Sequence, residues 1–349
     1  MTRVQEPPTR VPVRERGPGW SYRPEDPSDG VHQPGIATAM LDHVAFGALD
    51  VTVAGVGELS ELLRELFVGA AALTGENPRR TVTVGLGPGL FGDRFGLASQ
   101  RPVALRELPA FPGDELDPGL CGGDVCIQVC ADQRLDAADA LEGIGAGLDG
   151  AARLRWRQDG CVHRERDGRP RNLLGFHEGI DNLRRGRDLE RHVWVTRGDR
   201  TWMVGGTFLV VRRIELRLAA WRALAAAEQE RVIGRRRDTG APLGGRHLFD
   251  RPPLETDAIA PDAHVRLAAP RTNGGAAMLR RAYSYDTGLL LLAYQADPRR
   301  QFVPVQRRLA EHDALSRFSR PIGSAVFALP PRGGPSFPTT RTSARSRRA

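Results

Sequence analysis

Apolar positions along the chain switch between two rhythms. Residues 43–53 read as a strand. Over 57–73 the period lengthens, and Leu59, Leu62, Leu63, Leu66, Phe67 and Ala70 fall on one stripe of an amphipathic helix. Residues 81–86 alternate again. After a Gly/Pro-rich connection come a strand at 125–130, a helix at 135–148 and a strand at 152–156. The order is β-α-β-β-α-β, and the second half repeats it. Strands are predicted at 207–214, 282–286, 289–295 and 324–329, and helices at 216–233 and 302–318, with Pro304 in the first turn of the latter. Two split β-α-β units predict an α+β protein with two tandem ferredoxin-like domains.

Composition agrees. A chain of 349 residues can bury two cores of ordinary size. Its 40% hydrophobic and 26% charged residues are those of a soluble globular protein. No run approaches the roughly 18 apolar residues of a membrane span. The net charge of +8 comes from 50 basic residues, every one an arginine. They are scattered among acids except in the tail, which argues against nucleic-acid binding. Residues 1–29 are poor in aliphatics and read as a disordered leader without the regions of an export signal. Residues 331–349 read as a disordered basic tail. The expected compartment is the cytoplasm, or the cell envelope or outside if a signal lies upstream of the assigned start. A homo-oligomer is left open.

The cysteines are Cys121, Cys126, Cys130 and Cys161. The first three are spaced C-x4-C-x3-C, which could suit a metal or cluster. Alternation from Asp124 to Cys130 instead places Cys126, Gln128 and Cys130 on one face of a strand, as small buried side chains.

Candidate chemistry concentrates in residues 261–286, Pro-Asp-Ala-His-Val-Arg-Leu-Ala-Ala-Pro-Arg and then Met-Leu-Arg-Arg-Ala-Tyr-Ser-Tyr-Asp. His264 is followed by Arg266 and Arg271, then by Arg280 and Arg281. A lone imidazole beside guanidiniums suits a metal carrying anionic arms, as haem does. It equally describes a partly buried histidine in an Arg-rich chain.

These residues resemble the C-terminal signature of the dye-decolourising peroxidases, in the branch that includes deferrochelatase/peroxidase. Upstream, Gly175-Phe-His-Glu-Gly179, inside a run from Arg171 to Asn182, resembles that family's Gly-x-x-Asp-Gly motif, with Glu178 where the family has Asp. Further stretches follow in order: Gly30-Val-His-Gln-Pro-Gly, Leu90-Phe-Gly-Asp-Arg-Phe-Gly-Leu, Leu108-Pro-Ala-Phe-Pro-Gly-Asp, Ile233-Gly-Arg-Arg-Arg-Asp-Thr-Gly and Ala293-Tyr-Gln-Ala-Asp-Pro. They extend the resemblance over residues 30–330.

The resemblance implies a dimeric α+β barrel type of fold. Residues 30–190 would carry the Gly-x-x-Glu-Gly loop and residues 191–330 would hold haem b. It implies a peroxidase acting on hydrogen peroxide and an organic, dye-like or phenolic reductant. His264 would ligate the iron through Nε2, leaving Nδ1–H for an acceptor. Asp313 is a candidate for that acceptor, against its alternative as a helix-start carboxylate. Glu178 would be the distal acid–base group, with His177 as the local alternative. Arg280 would contact the haem and stabilise developing negative charge. Arg281 would be solvated or face a propionate. Gly179, Ile180 and Asp181 would pass over the haem plane. Ala269, Pro270 and Arg271 would line the proximal edge, with Arg271 on a propionate. Tyr283, Tyr285, Tyr294 and Trp202 are candidates for carrying electrons from bulky dyes, against core packing. The extra methylene of Glu178 adds about 1.5 Å of reach. That leaves room for a haem-binding protein with weakened peroxidase activity, and the deferrochelatase branch of the resemblance implies a further alternative, release of iron from haem.

Overall fold

The computed structural model describes residues 30–148, 150–335 and 337. The first half runs β1 (His43–Val51), α1 (Val56–Glu76), β2 (Arg80–Leu86), β3 (Val125–Ala131), α2 (Arg134–Gly147) and β4 (Ala152–Cys161). The hairpin of β5 (His163–Arg164) and β6 (Pro170–Arg171) and helix α3 (Gly186–His192) lead to the second half. That half runs β7 (Thr207–Leu216), α4 (Leu218–Arg222), α5 (Ala226–Ile233), α6 (His264–Ala268), β8 (Leu279–Tyr285), β9 (Gly288–Gln295), α7 (Phe302–His312) and β10 (Ser319–Leu329). The doubled β-α-β-β-α-β order is present, with α6 on the long connection between α5 and β8.

Two helices are shorter than their apolar period predicts. The helix expected over 216–233 is broken between α4 and α5, where Ala225 turns extended. The break frees the carbonyls of Trp221 and Leu224, and the Gln229 side-chain amide donates to both (2.8 and 3.4 Å). The helix expected over 302–318 stops at His312. Asp313 then accepts from the Leu315 N–H (2.9 Å) and opens a 3-10 turn over Ala314–Phe318.

The strands close into one antiparallel barrel in the order β1-β3-β2-β10-β7-β9-β8-β4. Each half supplies four strands with long internal ladders. The seams between halves are short: Leu86 pairs with Ala328 on one side and Cys161 with Ser284 on the other. The segment before β3 strengthens the closure. Backbone N–H groups of Glu115, Asp117 and Gly122 donate to Pro321, Ile322 and Ser324, while Arg155 and Trp156 donate to the carbonyls of Cys121 and Gly122.

One face of the strands fills the barrel with Phe46, Cys126, Cys130, Leu209, Tyr283, Tyr294 and Phe327. The other face packs Val84, Val129, Val210 and Val326 under the helices, against Leu59, Leu63 and Phe302. Cys126 and Cys130 are thus buried free thiols on the expected common face. The same interior decides between the alternatives for two tyrosines: Tyr283 and Tyr294 are fully buried core residues, not surface relays, and the Tyr294 hydroxyl donates to Gln128 at 2.5 Å. It corrects one expectation. Arg281 is neither solvated nor propionate-facing. Alternation on β8 turns it into the barrel, where it donates to the carbonyls of Ile36 (2.9 Å) and Thr38. Trp202 is half-buried, stacked on Phe91.

The expected leader lies outside the described residues, as does most of the expected tail. Phe337, within that tail, packs on Phe91 and Trp202. No helix among the described residues is long and apolar enough to cross a membrane.

Candidate functional site

His264 opens α6, and its surroundings explain its position. Gly234, left-handed at φ +88, caps α5, and a Cβ there would overlap Val265, Ile259 and Ala263. Glycine therefore lets α6 lie directly on the end of α5. The His264 side chain remains 39% exposed, while Asp313 opposite its inner edge is 4% exposed. Nδ1 lies 2.6 Å from Asp313 Oδ2. A carboxylate there favours the proton on Nδ1 and leaves the Nε2 lone pair facing outward. The other Asp313 oxygen is the one that starts the 3-10 turn. Asp313 therefore fills both of the roles weighed for it.

The second group of residues hangs from the β5–β6 hairpin. Asn172 Oδ1 accepts from the N–H groups of Leu174 and Phe176 (both 3.1 Å), and the Glu178 N–H donates to Pro170 (3.0 Å). Gly175 sits at φ +87, a conformation that favours glycine, with the Arg237 guanidinium packed against it. Burial pushes the Glu178 carboxyl up to about 7, against a hydrogen bond from Asn172 that favours its ionised form. Among the described residues no ion pair reaches it.

Asn182 joins this loop to β8. Beyond the Cys161–Ser284 bridge, the edge of β8 at Arg280 has no neighbouring strand. There the Asn182 amide replaces one: its Nδ2 donates to the Arg280 carbonyl (2.7 Å) and its Oδ1 accepts from the Arg280 N–H (3.0 Å). The Arg280 guanidinium donates to the Asp181 carbonyl at 2.7 Å. Burial lowers its pKa, partly offset by the Asp181 charge. Glu178 and Arg280 are thus carried by one clamped unit.

His177, the alternative base, is buried with Nε2 at 3.1 Å from both Arg171 Nη2 and the Asp238 carbonyl, so it is committed elsewhere. Gly179 is exposed at φ +71, with open space where a Cβ would be, and Ile180 is buried. Asp181 directs its carboxylate to Arg235. Ala269 ends α6 and Pro270 begins the next 3-10 turn. Arg271 pairs with Glu255 at 2.9 Å and donates to the Pro252 carbonyl.

The two groups share one support. Leu174 and Phe176 cluster with Trp221, Val232, Ile233 and Ala314, the residue after Asp313. The Trp221 indole N–H donates to Leu174 at 2.9 Å. Among the described residues, no group of three or more His, Cys, Asp or Glu could hold a bare metal ion. A metal at His264 would have to bring most of its own ligands, as an iron porphyrin does.

Comparison with known proteins agrees. The family model "Dyp-type peroxidase, N-terminal" matches residues 33–161, and "Dyp-type peroxidase, C-terminal" matches residues 169–333. The chain belongs to the Dyp-type peroxidase family. It is 43% identical to a dye-decolorizing peroxidase of Thermobifida fusca, a match covering 71% of this chain but 64% of that relative, under two thirds of its length. It is 37% identical to a deferrochelatase of Escherichia coli K12, across 88% of this chain and 84% of that one. An oxyferrous/water mixed complex of DtpA from Streptomyces lividans superposes with a TM-score of 0.83 at 39% identity, covering 87% of this chain and 93% of that one.

Within this Dyp-type peroxidase fold, sequence reasoning missed Asn172, Asn182, Arg235 and Trp221 as parts of the site. The two asparagines bracket the Gly-x-x-Glu-Gly run, and their taste for bonding nearby backbone was a usable signal. Arg235 lies within the Ile233-Gly-Arg-Arg-Arg-Asp-Thr-Gly stretch of the resemblance, but nothing local marks its partner, and nothing local marks Trp221.

Proposed function

We propose that this chain is a haem b-dependent peroxidase that reduces hydrogen peroxide and oxidises an organic, dye-like or phenolic reductant. The observation that carries the reading is the His264–Asp313 contact at 2.6 Å, which leaves Nε2 free to ligate a haem iron. The open space at Gly179 suits the close approach of a porphyrin. His264 would hold the iron, with Gly179, Ile180 and Asp181 on one side and Ala269, Pro270 and Arg271 bordering the other. Arg271 would have to leave Glu255, or share with it, to meet a propionate.

When bound, the haem supplies the redox-active iron at which peroxide is reduced. Glu178 moves the proton. With its pKa near 7 it exists in both forms at neutral pH. It could therefore take a proton from one peroxide oxygen and return it to the other as the O–O bond breaks, acting first as base and then as acid. Arg280, part-buried and aimed by the Asp181 carbonyl, would donate to oxygen as negative charge develops, an effect of about 3 kcal/mol in comparable sites. Two electrons and two protons convert peroxide to two waters, and the organic reductant supplies the electrons. A reducing, cytoplasmic setting suits the four free thiols.

A second reading, removal of iron from haem with the tetrapyrrole left intact, is favoured by the deferrochelatase relative. Mixing the haem-loaded protein with peroxide and a dye separates the two. Rapid change of the haem absorbance with stoichiometric dye oxidation is expected. Release of free protoporphyrin without dye oxidation would overturn the peroxidase reading in favour of the second.

A further inference from the structure

We propose that the ion pair of Asp181 with Arg235 is a strut coupling the two walls of the site, which makes Arg235 a positioning residue for Arg280. For what Arg280 does, the inference rests on the peroxidase reading. Asp181 belongs to both ends of a chain of contacts. Its carbonyl accepts from the Arg280 guanidinium at 2.7 Å, and its carboxylate meets Arg235. The next residue, Asn182, clamps the Arg280 backbone. Arg235 in turn follows Gly234, the residue on which α6 rests beside His264.

Arg235 is well built for this role. Its side chain is 7% exposed against 49% for Asp181. Its remaining donors bond the carbonyls of Gly240 (2.8 Å) and Leu248 (3.3 Å). It is therefore fixed to the segment leading out of α5, and the loop is the part that can move. The consequence is directional. Removing Arg235 leaves a half-exposed carboxylate that water can solvate, so the fold survives while the loop loses its anchor. Removing the Asp181 carboxylate instead strands a buried cation.

The test uses the haem-loaded protein and fluoride, an anion that binds ferric haem and needs a hydrogen-bond donor above the metal. Fluoride affinity is read by absorbance, alongside haem content and the rate of reaction with peroxide. Arg235→Met is expected to keep its haem, to bind fluoride about tenfold more weakly and to react with peroxide about tenfold more slowly, the scale of a displaced catalytic group. Asp181→Asn, which keeps an amide oxygen toward Arg235 but removes the charge, is expected to weaken fluoride binding as well, by less than Arg235→Met. Should Arg235→Met fail to fold or load haem, Arg235→Lys replaces it, with a smaller loss of fluoride affinity expected. Wild-type fluoride affinity in the variant that loads haem overturns the strut. If instead the wild type itself neither binds fluoride nor reacts with peroxide, the peroxidase reading fails.

Discussion

The walls around His264 and around Glu178 are held by the same helices but treat their acids in opposite ways. Asp313 is buried, receives the Nδ1 edge of His264 and a backbone N–H, and has both oxygens engaged. Glu178 is part-buried and meets no cation among the described residues, so desolvation keeps its carboxyl near 7. The contrast teaches how one fold assigns two jobs to one functional group. A carboxylate with its partners satisfied holds a ring still, and one denied a charge partner keeps a proton in play.

The sharpest way to break the contrast is at the imidazole. His264→Ala is expected to abolish stable haem binding, measured by haem absorbance after gel filtration; retention of a full complement would remove His264 as the ligand. Arg280→Ala should keep haem and slow the peroxide reaction by about 10²–10³-fold, the cost of losing one donor to a developing anion. Stopped-flow mixing reads this, and a wild-type rate would show that the clamped guanidinium does not face the reacting oxygen. Asp313→Asn should weaken haem binding by about 10–100-fold, as loss of a group behind a metal-bound histidine does. Equal affinity in a haem titration would reduce Asp313 to a helix start.

A change in stability, not in catalysis, sharpens the other side. Glu178 has a folded pKa near 7 against an unfolded value near 4.5, so its raised pKa costs stability once pH exceeds the unfolded value, with the full cost reached above about 7. Apo Glu178→Gln should therefore be more stable than the wild type at pH 8, by up to about 3 kcal/mol, and gain nothing near pH 4. Denaturant titrations at the two pH values would reveal a pH-independent difference if the carboxyl were not perturbed.

Much of this was legible in the residues, for physical reasons that differ by case. Period alone exposed the doubled β-α-β-β-α-β order, because each element buries one face. Barrel closure was implied by the family resemblance and not by the period, since the seams rest on single pairings and on backbone bonds from residues 115–122. Arg281 was misplaced because the strand was expected from residue 282, whereas β8 begins at Leu279. With both arginines on the strand, alternation sends Arg280 and Arg281 to opposite faces. The break after α4 escaped notice because both pieces keep a helical period. Arg235 escaped notice because its partner lies 54 residues away in sequence.

The central claim is that Glu178 is the proton carrier of the peroxide step. The most direct measurement is the rate of that step in the haem-loaded wild type and Glu178→Gln from pH 5 to 9. The account predicts that the wild-type rate rises with pH through an inflection near 7, as the carboxylate forms, and that the variant is slow and without that inflection. A variant as fast as the wild type, with the same pH profile, would contradict it.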